Sequence, residues 1–331
     1  MSSVIVPAAS PRLRLGWIGL GSMGLGMATN LQKHLSQSGA PNLSFHNRTK
    51  SRGAALETLG GVSRSLDELT AKSDIIFLSL SDGNAVETVL NTILESNGAT
   101  IPFDKKVVVD TSSIHPKISA QVRSRLREKG AEYVAAPVLG ASPVAAKGQL
   151  LWILAGAEAA IDVVNPYIVG VMGRGILRLG DDVRLASSLK AVANSLGIGM
   201  IEVIAEAHVL AEKAGLGVAD VENLIQQQHG LPGLMISQRL TTGAYMPPRG
   251  ERPWADVGLA VLGGQEIQTA ATDLGVQLGV SSLVMKNLEV AKAYGESVGR
   301  QLDVSALYGA VRMSNGLPFE TEFVKKRDGS S

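Results

Sequence analysis

The chain reads as an α/β protein in two parts. A doubly wound parallel sheet is predicted over residues 1–180 and an all-helical domain over residues 181–331, joined by a long interdomain helix. Three observations predict this. From Leu13 to about Leu179, short apolar runs rich in β-branched residues alternate with stretches of helical periodicity, the pattern of strands joined by crossover helices. The first of those runs ends in the turn Gly19-Leu20-Gly21-Ser22-Met23-Gly24, which opens an amphipathic helix. Past Gly180 the strand-like runs stop and every periodic stretch is helical.

Leu13, Leu15, Trp17 and Ile18 mark the first strand, and Met27, Leu31 and Leu35, spaced by four, mark the helix after the turn. The G-x-G-x-x-G spacing between them has a physical reason. Gly19 permits a tight turn, Gly21 lets the backbone approach a pyrophosphate with no Cβ in the way, and Gly24 lets the helix pack on the strand, as in the Rossmann dinucleotide-binding unit. Phosphates then sit on free N–H groups at the helix N-terminus, where the dipole favours anions. A second strand is predicted at 43–46, closed by Asn47-Arg48-Thr49, and a helix at 51–59 stopped by Gly60-Gly61. Strand 74–80, helix 84–94, strand 106–110 and helix 116–129 follow, then short strands at 133–136, 151–154 and 176–179. All are assigned to one parallel sheet, which binds ligands at the carboxyl ends of its strands.

Asp181 or Asp182 can cap a helix running to about Lys213, with Gly215 as its left-handed stop. Leu185, Leu189, Val192, Leu196, Ile201, Ile204 and Leu210 make it apolar nearly all round, which predicts burial on several sides. Further helices are predicted at 218–228, 234–240, 256–278, 282–297 and 304–313, interrupted by a Pro/Gly-rich loop at 243–253.

Composition narrows the function classes. With 31 basic against 30 acidic residues the net charge is +1, so no global field draws in nucleic acid or an anionic membrane. The absence of cysteine excludes disulfides, thiol nucleophiles and cysteine-held metals. His34, His46, His115, His208 and His229 lack metal-ligand spacing, so no metal is expected. No apolar run reaches the ~18 residues of a membrane span, and residues 1–12 lack the apolar core of a signal peptide. A soluble cytoplasmic protein is the expectation.

Two positions carry the chemistry. NAD sites place a carboxylate at the end of the second strand to bind the ribose 2′-hydroxyl, whereas this chain has Asn47 and Arg48. An arginine fork suits a 2′-phosphate, so NADP(H) is the expected cofactor. Lys190 lies inside an otherwise apolar helix, with Asn194 one turn on. Burial lowers a lysine's pKa toward the working pH, so Lys190 can exchange a proton with a substrate; a lysine that snorkels to solvent is the other reading. Ser112-Ser113 follows a strand without a histidine base nearby in sequence, which suits ligand hydrogen bonding better than nucleophilic attack.

Several of these segments together resemble the β-hydroxyacid dehydrogenase family, which contains 3-hydroxyisobutyrate dehydrogenases and glyoxylate/succinic semialdehyde reductases and is related to 6-phosphogluconate dehydrogenase. The likeness covers roughly residues 13–310. GLGSMGLGMATNL at 19–31 is similar to the family's opening signature, NRT at 47–49 to its NADP-preferring branch, and DTSSIHP at 110–116 to its D-x-S-T segment. APVLGA at 136–141, with AKGQL at 146–150, resembles the substrate-binding A-P-V-S-G-G segment and its sequel. Lys190 and Asn194 match the family's catalytic lysine and the asparagine four residues on. The resemblance implies cofactor contacts from Gly19, Leu20, Gly21, Ser22, Met23, Gly24, Asn47, Arg48, Thr49, Leu80, Ser81 and Ser113. It implies substrate contacts from Leu139, Gly140 and Asn194, and a homodimer or higher homo-oligomer. Four departures stand out: Leu139 replaces a serine that holds the substrate carboxylate, Arg184 and Ala186 replace glycines, Ala255 replaces a lysine, and Ser81 replaces a proline.

The sequence thus points to an NADPH-dependent oxidoreductase acting on a small carbonyl or hydroxy compound, with Lys190 as general acid or base. Leu139 and Ala255 predict a pocket greasier and less cationic than that of acid-specific relatives. An imine reductase and a non-catalytic NADPH-binding scaffold are the alternatives.

Overall fold

The computed structural model describes residues 13–95 and 103–329, so the leader reading of residues 1–12 lies outside it. Two compact units, residues 1–190 and 191–331, divide the chain inside one long helix rather than at Gly180.

The first unit begins β1 (Leu15–Ile18), α1 (Ser22–Ser38), β2 (Ser44–His46), a 3-10 turn (Lys50–Gly53), α2 (Ala54–Thr58), β3 (Val62–Ser63), α3 (Leu66–Lys72) and β4 (Ile75–Leu78). It continues α4 (Gly83–Glu95), β5 (Val107–Asp110), α5 (Pro116–Arg127) and β6 (Glu132–Ala135). These strands make a six-stranded sheet in the order β3-β2-β1-β4-β5-β6, paired in parallel throughout. β1, β4 and β5 are buried along their whole length, as a sheet covered by helices on both faces requires. Trp17 and Phe77 stack at 5.3 Å across β1 and β4 on one face, while Ile18, Ile76, Leu78 and Val108 fill the other. The order reverses beside β1, which puts the turns after β1 and β4 side by side at the ligand-binding end.

The later strands depart from expectation. β7 (Val138–Leu139), α6 (Ser142–Ala146), β8 (Leu150–Leu154), α7 (Glu158–Val164) and β9 (Gly173–Arg178) follow β6, and their strands form a separate three-stranded sheet ordered β7-β8-β9. The chain leaves the main sheet at Ala136-Pro137, where proline offers no N–H for a ladder, and β7 turns back antiparallel to β8. An apolar run announces a strand but not its partner. β3 is too short to show a period. α3 was legible: Ser65 caps it by accepting from the Glu68 N–H at 3.3 Å, an S-x-x-E signature that the sequence reading passed over.

α8 (Val183–Lys213) crosses from the first unit into the second. The second unit adds α9 (Val218–Thr241), α10 (Val257–Asp273), α11 (Gly279–Ser297), α12 (Leu307–Ser314) and α13 (Glu322–Asp328). The two helices predicted at 218–240 are one element broken at Gly230 (φ 69°, ψ −167°) ahead of Pro232. α10 stops at Asp273 because Gly275 takes φ +68°, short of the predicted 278. A core of Ile201, Val209, Tyr245, Leu288, Leu302 and Leu307 holds this unit.

One expectation about α8 fails. It is not buried all round: Val192, Leu196, Val203 and Leu210 are 60–72% exposed, although Ala186, Ala205 and Ile201 are buried. The helix has a packed apolar face and an unpacked one, and composition cannot tell them apart. By length and composition α8 also meets the measure of a helix able to cross a membrane, a measure that core helices of soluble proteins meet too. Glycine, alanine, serine and charged residues interrupt its leucines and isoleucines, so it holds no unbroken apolar run of ~18 residues.

Candidate active site

The turn after β1 is shaped by backbone crowding at two glycines and by open space at the third. Gly19 has φ +100°, and a Cβ there would lie 2.2 Å from the Ser79 carbonyl oxygen. A Cβ on Gly24 would lie 2.3 Å from the Gly19 carbonyl oxygen. A Cβ on Gly21 would meet nothing within 4 Å, so no protein neighbour demands glycine there. That open cradle sits at the start of α1, which has no side-chain cap and no acidic residue in its first turn. The N–H groups of Ser22 and Met23 are left for an anion. These features fit the pyrophosphate of a dinucleotide.

Leu20 and Asn47 hold this cradle together. The Leu20 side chain is buried, and its N–H donates to Asn47 Oδ1 at 2.8 Å. Asn47 Nδ2 donates to the Thr49 carbonyl at 2.8 Å. Both groups are engaged within the protein, so they brace the turns after β1 and β2 against each other, a role the sequence reading did not anticipate for either residue. Arg48 and Thr49 are exposed beyond the brace, and Arg48 has no ion pair among the described residues. No carboxylate stands between residues 47 and 52, where Lys50 and Arg52 add two cations.

On the other side of β1, Ser112 Oγ accepts the Leu80 N–H at 2.9 Å, tying the turns after β4 and β5 together. Ser113 is exposed, while Ser112 is buried, which separates a residue open to a ligand from a structural one. Ser81 donates to Asp82, the residue that caps α4 through the Ala85 N–H.

Lys190 is half-buried on α8, and its Nζ donates to the Val138 carbonyl of β7 at 2.7 Å. Burial pushes its pKa down from 10.5 to about 8, with no charged partner contributing. An ammonium with one proton held by a carbonyl keeps two others for a substrate oxygen. Val138 was missed because a backbone carbonyl leaves no mark in a sequence. Leu139, next in β7, is half-buried, and Gly140 is exposed with φ +133°. Asn194 follows Lys190 by one turn along α8, half-buried.

The profile of the NAD binding domain of 6-phosphogluconate dehydrogenase matches residues 14–180, half of the chain. An NADH-dependent oxidoreductase, ucdB, of Aspergillus ustus is 31% identical over 90% of this chain and 99% of its own length. The chain belongs to the β-hydroxyacid dehydrogenase family. The 2-hydroxy-3-oxopropionate reductase of Escherichia coli, 31% identical over 91% of this chain and 98% of its own, is a further relative. The fold is that of the 3-hydroxyisobutyrate dehydrogenase (ygbJ) from Salmonella typhimurium, with a TM-score of 0.74 at 21% identity over 89% of this chain and 99% of that one. As a β-hydroxyacid dehydrogenase family member the chain is a nicotinamide-dependent oxidoreductase.

Two departures from the family look different in three dimensions. Arg184 is exposed and held by Asp182 through contacts of 2.7–3.1 Å, so its guanidinium is engaged next to its own backbone. Ala255 has a cation beside it after all. Its N–H and Arg239 Nη2 donate to the same oxygen of buried Asp303, at 2.9 and 2.7 Å, and the guanidinium lies 5.5 Å from the centre of the Trp254 ring. Asp303 neutralises that arginine.

Proposed function

We propose that this β-hydroxyacid dehydrogenase family member is an NADPH-dependent reductase, or dehydrogenase in the reverse sense, of a small carbonyl or hydroxy compound. The observation that carries the reading is the Lys190 amine, desolvated and held at 2.7 Å from the Val138 carbonyl with a pKa near 8. A group poised near neutrality exchanges protons efficiently in both directions. The bound nicotinamide supplies or accepts the hydride. Lys190 gives a proton to the carbonyl oxygen in reduction and takes it from the hydroxyl in oxidation. Asn194 and the Gly140 backbone orient the substrate, and Ser113 the cofactor.

Arg48 supports NADPH: it is exposed, has no ion pair among the described residues, and lies two positions from Lys50 on a turn without carboxylates. The relative ucdB is named for NADH, so cofactor choice in this chain rests on that turn. Leu139 supports a substrate less charged than a free acid, because a carboxylate drawn out of water beside leucine loses a hydroxyl donor at a cost of several kcal/mol. The exposed stripe of Val192, Leu196, Val203 and Leu210 supports a homodimer.

The test is cofactor consumption, NADPH against NADH, over small aldehydes, keto acids, cyclic imines and matched acid–ester pairs. Reduction of aldehydes or ketones with NADPH, esters outrunning their free acids in kcat/KM, is expected. Lys190→Ala should retain NADPH binding and lose ~10²-fold or more in kcat. Turnover of imines alone, or a Lys190→Ala protein as fast as wild type, would sink the reading.

A further inference from the structure

Four polar side chains run in a line through the apolar interior of the first unit. At the carboxyl end of β5, Asp110 accepts the Ser112 N–H at 2.9 Å and the Tyr133 hydroxyl of β6 at 3.1 Å. The Ser119 hydroxyl of α5 acts on the Tyr133 phenol, working against the rise in its pKa that burial causes. Ser119 Oγ in turn lies 2.7 Å from Ser187 Oγ, on α8, three residues before Lys190. All four are at most 5% exposed. Tyr133 belongs to the apolar cluster that also holds Val122, Leu126, Val183 and Ala186. An apolar set would pack there with no polar groups to satisfy, whereas buried hydroxyls must find partners in one arrangement only.

We propose that the chain Asp110–Tyr133–Ser119–Ser187 is a positioning device: it fixes the rotation and height of α8 on α5, and so holds the Lys190 amine at the Val138 carbonyl. Val183 and Ala186 of α8 join that apolar cluster, and Arg123 of α5 pins Asp181 just ahead of the helix; the Ser119–Ser187 pair adds the contact that fixes the helix one turn further on, beside Lys190. Slippage by one residue is an axial move of about 1.5 Å, enough to break a 2.7 Å hydrogen bond. The lysine can follow only by changing rotamer, which takes its amine out of the desolvated position. The other end of the chain reaches the cofactor side, since Ser112, which donates to Asp110, also receives the Leu80 N–H. One network therefore ties the turns after β4 and β5 to the helix bearing the lysine. The groups facing Asp110 are Ser112 and Tyr133, and burial holds its carboxyl up at about 6.

The inference rests on Lys190 as the acid–base group, but its test does not need turnover. Trace amine labelling across pH, read at the Lys190 peptide by mass spectrometry, gives that lysine's own titration midpoint. Wild type is expected near 8. Ser187→Ala and the isosteric Tyr133→Phe should move the midpoint up by about half a pH unit or more toward the ordinary lysine value, and lower kcat severalfold with KM for the cofactor unchanged. Ser187→Thr, which keeps the hydroxyl, should titrate as wild type. A midpoint unmoved in folded Ser187→Ala and Tyr133→Phe proteins, or a threonine variant behaving like the alanine one, overturns the proposal. Should Ser187→Ala not fold, Tyr133→Phe decides alone. A Lys190→Ala protein that stays active refutes the acid–base role and leaves the titration result standing.

Discussion

At the scale of single residues, charge and burial make two predictions. If Arg48 clamps a 2′-phosphate, Arg48→Asp removes a charge-assisted contact of ~1.5–3 kcal/mol and adds a repulsion. NADPH affinity should fall at least tenfold and NADH affinity far less, measured by fluorescence titration; equal losses would assign Arg48 to folding or to the shared pyrophosphate. Asp110 makes the second. Burial raises its pKa from 3.8 to about 6, so the fold accommodates the protonated form best. Its contribution to stability is fully present below about pH 3.8, declines as pH rises through 6, and is absent above. A rise of two pKa units corresponds to about 3 kcal/mol. Asp110→Asn should remove most of that dependence, so urea midpoints compared at pH 4.5 and 7.5 should differ less in the variant than in wild type. Parallel pH profiles would show that Asp110 stays ionised in the fold.

At the scale of elements, the turn after β1 separates glycines needed for folding from one needed for ligand. Gly24→Ala drives a Cβ to 2.3 Å from the Gly19 carbonyl oxygen, where the backbone must shift. Overpacking of this kind costs about 1–3 kcal/mol, so its melting temperature should drop by several degrees. Gly21→Ala meets open space in the protein, so it should melt like wild type yet bind NADPH at least tenfold more weakly. A Gly21→Ala protein with unaltered cofactor affinity would remove the pyrophosphate from this cradle. The pattern of three glycines was legible in the sequence. Their division of labour was not, because it depends on Ser79 arriving from β4, some sixty residues away.

At the scale of the whole molecule, α8 leaves a greasy stripe uncovered. Leu196, Val203 and Leu210 recur every seven residues, on one face, at 66%, 60% and 72% exposure. We read this exposed apolar stripe as the face that a second copy of the chain covers. Sedimentation should give twice the mass of the chain, and the pair Leu196→Glu with Leu210→Glu should give a monomer, because two buried like charges on each side oppose association. A double variant that still sediments as a dimer would place the contact on another face.

The sequence alone determined the features that depend on neighbours along the chain. Helix and strand periods, the glycine turn before α1, the absence of a carboxylate after β2, and a lysine in an apolar helix all follow from residues a few positions apart. They suffice for the family and for the main alternation of strands and helices, but not for β3, α3, β7, α6 and α7. Only the tertiary structure decided which strand pairs with which, so the runs at 151–154 and 176–179 were read correctly as strands and placed in the wrong sheet. It alone showed that Asn47 braces Leu20, that Val138 holds Lys190, and that Arg239 stands beside Ala255. The reason is common to all of these. The four hydrogen bonds behind them join residues 27 to 64 positions apart, and in three of the four the group on one side is a backbone N–H or carbonyl that every residue carries; a sequence records side chains in order, whereas these positions are set by how the chain folds back on itself.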